Sequence, residues 1–197
     1  MSHKPLQLHF PPSLRMTREE FAEFCSANPE LRCEHTESGD VVIMPPEGGE
    51  SGARGLKVGA RLERWAERNG TGVAFGSSTG FQLPNGATRS PDAAWVRRTR
   101  LVGLTPAEKK AFVPLCPDFV IEIRSPSDSL ADQQEKLEEY ITNGAALGWL
   151  IDPQSRSLWI YQPGEPPKRI DNPTSVAADP VLPGFVLELA GVWDVGF

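Results

Sequence analysis

The segment Asp118-Phe119-Val120-Ile121-Glu122-Ile123-Arg124 constrains this chain more than any other. Side chains alternate faces along a β-strand, so Ile121 and Ile123 point one way while Val120, Glu122 and Arg124 point the other. A strand that is apolar on both faces belongs in the middle of a sheet covered on both sides. An acid there loses its hydration and must be paired, protonated or bound to a cation. Ser90-Pro91-Asp92-Ala93-Ala94-Trp95-Val96 carries the same signal, with Asp92 at the head of a second apolar run. Two such acids on neighbouring strands repel each other unless a cation lies between them.

The surrounding chain reads as a mixed sheet flanked by helices. Thr17 and Glu20 form a capping box for an N-terminal helix, with Met16 and Phe21 placed as its hydrophobic staple. Leu31 to Thr36 and Val41 to Met44, joined by Ser38-Gly39-Asp40, read as a β-hairpin. A helix follows from about Ser51 to Arg68, with Leu56, Ala60, Leu62, Trp65 and Ala66 expected inside and Asn69-Gly70 closing it. Short strands are expected at Val73–Phe75, Gly80–Leu83 and Asp92–Arg97, and Leu101 to Pro117 reads as an insertion ahead of the Glu122 strand. Leu130 to Asn143 is a helix, and Leu147–Ile151 and Leu158–Tyr161 are strands. The proline-rich tail is expected to add at most one edge element. At about 100° per residue, Leu130, Leu137 and Ile141 form the apolar stripe of the 130–143 helix. Lys136 falls at the margin of that stripe, where a lysine runs its methylenes along the core and delivers its ammonium to the sheet end.

A chain of 197 residues suits one domain, 1–197, with a substantial core. No apolar run is long enough to span a membrane, and Met1 to Leu6 lead into no signal sequence. Cys25, Cys33 and Cys116 are odd in number and widely spaced, as buried thiols in a reducing compartment would be, so a cytoplasmic protein is expected. A net charge of −6 argues against strong non-specific binding to nucleic acid. Basic residues nevertheless cluster, at Arg97, Arg98 and Arg100 and along the helix at Arg54, Lys57, Arg61, Arg64 and Arg68, and a local basic strip for DNA is one reading of them. Solvated surface charge is the other.

Competing chemistries fail on their own requirements. Gly76-Ser77-Ser78-Thr79-Gly80 has the spacing of a nucleophile elbow, but His3, His9 and His35 all precede it, so the histidine that elbow needs later in the chain is missing. Gly48-Gly49-Glu50-Ser51-Gly52 does not make a phosphate-binding P-loop. No histidine–cysteine set has zinc spacing.

Pro91-Asp92 followed by Glu122-Ile123-Arg124 resembles the Pro-Asp…(Asp/Glu)-x-Lys motif of restriction-endonuclease-like nucleases. The flanks are more specific. Arg89 to Val96, Pro117 to Asp128, Gln134 to Tyr140, Gly144 to Pro153 and Pro45 to Gly52 together resemble, in matching order, the Uma2 family. The resemblance covers roughly residues 15–165 and implies a nuclease core of about 45–165. It further implies a restriction-endonuclease-like α/β fold and a metal-dependent endonuclease acting on DNA. Mg²⁺, with Mn²⁺ as substitute, prefers hard oxygens, usually one or two carboxylates with water and phosphate oxygens. Asp92 and Glu122 are the candidate carboxylates. The Ile123 carbonyl and Glu50, an acid just before the long helix, are candidate further ligands by the same resemblance; helix N-termini also favour acids for their own sake.

The motif's lysine position holds Arg124. Arginine stays protonated and cannot act as a base, though it can hold a phosphate or pair with Glu122. Lys136 is the alternative cation. Two functions therefore stand side by side: a catalytic nuclease, and an inactive nuclease-fold module that binds nucleic acid or protein. Double-strand cutters commonly pair two sites by twofold symmetry, so a homodimer is the expected assembly.

Overall fold

The computed structural model describes residues 4–197, and its largest sheet is built around the strand that carries Glu122. In chain order the elements are β1 (Leu6–Leu8), α1 (Arg18–Ala27), β2 (Arg32–His35), β3 (Val41–Met44), α2 (Gly49–Asn69), β4 (Gly72–Gly76), β5 (Phe81–Gln82), β6 (Thr88–Arg89) and β7 (Ala93–Arg97). They continue with α3 (Arg98–Leu101), β8 (Phe119–Ile123), α4 (Leu130–Thr142), β9 (Leu147–Asp152), β10 (Ser157–Tyr161), β11 (Lys168–Asp171), β12 (Ser175–Ala177), β13 (Val186–Glu188) and α5 (Ala190–Trp193). The large sheet has the order β11-β10-β9-β8-β7-β4. β8 and β9 are parallel, joined by α4, while β7 runs antiparallel to β8 with Ala93 opposite Ile121. A second sheet, β1-β3-β2-β6-β5, carries the N-terminal hairpin, and β12 pairs with β13. The expected mixed α/β sheet flanked by helices is what forms.

Alternation along β8 divides the core. Phe119 and Ile121 join Ala93, Trp95 and Trp149 under α2, where Val58, Leu62, Trp65 and Ala66 pack. Val120 joins Ala94, Val96 and Leu150 on the opposite face, under Leu137 and Tyr140 of α4. Glu122 shares the parity of Val120 and so faces α4.

Three expectations need correction. α2 begins at Gly49, so Glu50 lies within its first turn rather than before it. Its buried face is Arg54, Val58, Leu62, Trp65 and Ala66, whereas Leu56 is 75% exposed and Ala60 is also exposed. Apolar residue type misled there; the 54-58-62-65 spacing is the true helical stripe. The tail is much more than an edge element. Val176, Ala178, Leu182, Phe185, Leu187, Leu189, Val192 and Trp193 belong to the α2-side core. No described helix is long and apolar enough to cross a membrane.

Candidate active site

β8 delivers Glu122 at its carboxyl end, and Asp92 immediately precedes β7. Continuing the β7–β8 register from Ala93 opposite Ile121 sets Asp92 opposite Glu122. Asp92 has the parity of Ala94 and Val96, so both acids lie on the α4 side of the sheet. The Ile123 N–H donates to Asp92 Oδ2 at 2.7 Å, tying the two strand ends together. α4, capped by Ser129 accepting from the Asp132 N–H, turns Lys136, Leu137 and Tyr140 toward the sheet. Lys136 Nζ lies 2.9 Å from Glu122 Oε1. The Tyr140 hydroxyl donates to the same oxygen at 3.2 Å. These groups open onto a cleft of about 980 Å³, also lined by Glu47, Glu50, Leu56, Phe75 and Gln133.

Burial sets the electrostatics. Glu122 is 4% exposed, and desolvation pushes its carboxyl up to about 8, with Lys136 opposing and Asp92 and Glu34 reinforcing the rise. Asp92 is pushed up to about 6, again by burial first, against the bond from the Ile123 N–H. Burial alone would lower the Lys136 ammonium, but Glu122 and Glu34 more than offset it and hold it above its ordinary value. Lys136 is thus a fixed cation. Burial and the Glu122 charge also raise the Tyr140 phenol well above its usual range, so it stays a donor.

Glu34 was not singled out in the sequence, yet it is 3% exposed and bonded to Lys136 Nζ at 2.8 Å. The sequence held no local signal for it: Arg32 and Thr36 share its face of the strand and are polar, and only the fold shows Cys33, Glu34 and His35 buried in succession on β2. Arg89 and Ser90 hold its other positions, the Ser90 N–H donating to Oε1 at 2.9 Å.

Other candidates go elsewhere. Arg124 does not line the cleft: its Nη1 pairs with Asp152 Oδ2 at 3.0 Å and its Nε donates to the Asp128 carbonyl. The Arg124 N–H still bonds the Ile151 carbonyl of β9 at 2.8 Å, and Asp152, the next residue on that strand, takes the guanidinium. A Glu122–Arg124 pair, the alternative to a metal site, is not among the ion pairs formed by the described residues. Glu50 lines the cleft, but its carboxylate is tied to Arg54 Nη2 at 2.8 Å. Ile123 lines the cleft beside Glu122.

The basic clusters are also committed within the fold. Arg54 and Lys57 donate to the carbonyls of Val192 and Val195, and Arg61 donates to that of Glu188, pinning the tail onto α2. Arg97 and Arg100 pair with Asp118, and Arg98 donates to the Gly70 carbonyl.

Asp92 Oδ1 and Glu122 Oε2 are left without a protein partner among the described residues. Two hard oxygens from two desolvated acids on one face suit a divalent cation, whose remaining positions go to water and phosphate oxygen. Among the described residues, no group of three or more His, Cys, Asp or Glu could hold a metal ion.

The chain matches no curated protein. Among solved structures it resembles the crystal structure of a putative nuclease belonging to DUF820 from Anabaena variabilis ATCC 29413. The two are 20% identical, with a TM-score of 0.75 over 90% of this chain and 97% of that one, a likeness that speaks for the fold. The family model for Uma2, described as "Putative restriction endonuclease", matches residues 18–190, from α1 to the start of α5. With so much of its length matched, the chain belongs to the Uma2 family.

Proposed function

We propose that this protein is a divalent-cation-dependent endonuclease that hydrolyses DNA phosphodiester bonds. The observation that carries the reading is a pair of acids lining one cleft, half-buried Asp92 and buried Glu122, with Lys136 Nζ 2.9 Å from Glu122. Asp92 and Glu122 would each offer one uncommitted oxygen to Mg²⁺, or to Mn²⁺ in its place. When bound, such an ion polarises a phosphoryl group and lowers the pKa of water. Lys136, held protonated, supplies positive charge where the phosphoryl oxygens gain negative charge. It is an electrostatic group rather than a base. Tyr140 and Lys136 together fix the Glu122 carboxylate, leaving its other oxygen toward the cleft. Arg124 has no part in this reading.

The reading takes residues 1–197 as one unit working in a reducing cytoplasm, in keeping with three free cysteines. It takes the active form as a twofold dimer.

A second reading, a non-catalytic module, is favoured by one observation. Arg54, Arg61, Arg98 and Arg124 donate to backbone carbonyls, and Arg97, Arg100 and Arg124 pair with Asp118 and Asp152, which leaves few arginines to neutralise phosphates. Purified protein incubated with plasmid DNA separates the two. Cleavage in Mg²⁺ or Mn²⁺ that stops in EDTA is the expected result; intact DNA under every cation condition would leave the binding module.

A further inference from the structure

Glu34 belongs to the N-terminal sheet, outside the strands and helix that carry Asp92, Glu122 and Lys136. It nevertheless touches the supports of all three. Its Oε1 accepts from Lys136 Nζ at 2.8 Å and from the Ser90 N–H at 2.9 Å, two residues before Asp92. Its Oε2 faces Arg89 Nη1 at 3.3 Å. Arg89 in turn donates through Nε to Glu139 Oε2 at 2.5 Å, and Glu139 lies on α4 one turn beyond Lys136. Glu122, Lys136, Glu34, Arg89 and Glu139 thus form a chain of alternating charge that links β8, α4, β2 and β6. Both oxygens of Glu34 are occupied by protein donors, which distinguishes it from Asp92 and Glu122.

We propose that Glu34 is a positioning residue: it fixes the Lys136 ammonium beside Glu122 and makes the N-terminal hairpin part of the working site. This rests on the nuclease reading only for its effect on turnover. Lys136 occupies Glu122 Oε1 and leaves Oε2 to the cleft, so Glu34 is its second anchor and makes no demand on the oxygen offered to a cation. Without Glu34, the long lysine side chain keeps one anchor and its ammonium is no longer fixed in place.

The test compares wild type with Glu34→Gln, Glu34→Asp, Lys136→Met and the Glu34→Gln/Lys136→Met double variant. One readout is the side-chain ammonium NMR signal of Lys136, assigned by its disappearance in Lys136→Met. The expected result is a solvent-protected Lys136 signal in wild type that is lost in both Glu34 variants. In turnover, Glu34→Gln lowers kcat by about 10- to 100-fold, the usual effect of removing a supporting contact. KM and the Mn²⁺ dissociation constant stay within about twofold, since the lost contact is one made to Lys136 and not to substrate or ion. The double variant is no slower than Lys136→Met alone, because residues acting as a unit are not additive.

A Lys136 signal that persists unchanged in folded Glu34→Gln overturns the proposal. So does wild-type kcat in that variant, or a tenfold loss of Mn²⁺ affinity, which would make Glu34 a ligand. Should Glu34→Gln fail to fold, Glu34→Asp carries the same measurements, since it keeps a carboxylate near Arg89 and Ser90 while withdrawing from Lys136. Should wild type cleave no nucleic acid, the nuclease reading fails and the ammonium signal alone decides the role of Glu34.

Discussion

Glu122→Gln and Asp92→Asn are each expected to lower DNA cleavage by at least about 10³-fold, the scale seen when a member of a catalytic unit is removed. Each change keeps the shape of the side chain and removes the negative charge that a hard cation requires. Lys136→Ala is expected to lose about 10²- to 10³-fold, the typical effect of deleting one stabilising charge or donor at a developing anion. Steady-state cleavage of a fluorescent duplex in Mn²⁺, with all variants purified identically, measures these losses. Equal activity in wild type and Glu122→Gln would identify a contaminating nuclease and leave the non-catalytic module standing.

The second large effect is on stability, and its sign separates a cation site from a structural salt bridge. Glu122 in the folded protein is pushed up to about 8, against about 4.3 in an unfolded chain. A raised carboxyl contributes stability that is fully present below the unfolded value and is lost as pH rises through the folded one. Asp92, pushed up to about 6, acts the same way over a lower range. Glu34 has the opposite sign: burial opposes its charge, but Lys136 and Arg89 hold it below its ordinary value, so its contribution is lost only on acidification below about pH 4.

In EDTA the protein is therefore expected to lose stability as pH rises from about 4 to about 8. Asp92→Asn should flatten that slope and leave stability at pH 8 unchanged or raised, because Asp92 forms no ion pair with any described residue and the desolvation of its charge outweighs the Ile123 N–H bond and the attraction of Lys136. Adding Mn²⁺ at about a hundred times its dissociation constant should stabilise wild type by about 2.7 kcal/mol. The same addition should do nothing for Asp92→Asn. Urea titrations at several pH values, with and without Mn²⁺, measure both. A loss of about 3–5 kcal/mol in Asp92→Asn, with no Mn²⁺ effect on wild type, would mean that the acids hold the fold together.

The strand carrying Glu122, the strand headed by Asp92 and the inward turn of Lys136 were legible because each rests on a local rule. Period-two alternation sets the face of Glu122, and helical spacing sets the direction of Lys136. Arg124 was a candidate beside Glu122, but Asp152 on the neighbouring strand and the Asp128 carbonyl take its guanidinium, and neither partner shows in the pattern around Glu122. Leu56 and Ala60 were misplaced by residue type. On α2 the buried positions include Arg54, whose guanidinium reaches the Val192 carbonyl. That contact depends on the tail, 138 residues away, and no local pattern announces it. The tail itself was underestimated because Pro173, Pro180 and Pro183 read as loop, while Phe185, Leu187 and Trp193 find their partners only in the core under α2, with Phe185 against Trp65, Phe119 and Trp149. Glu34 was not legible locally: Arg32 and Thr36 make its face of the strand polar in the sequence, and its partners Arg89 and Lys136 are 55 and 102 residues distant.

Diffraction from crystals soaked in MnCl₂, collected at the manganese absorption edge, tests most directly whether Asp92 and Glu122 share a cation. An anomalous peak within about 2.0–2.6 Å of a carboxylate oxygen from each residue, with Lys136 still seated between Glu34 and Glu122 or turned toward the cleft, is the expected result. A fully occupied peak elsewhere in the cleft, at Glu47 or Glu50, with none between Asp92 and Glu122, would contradict it.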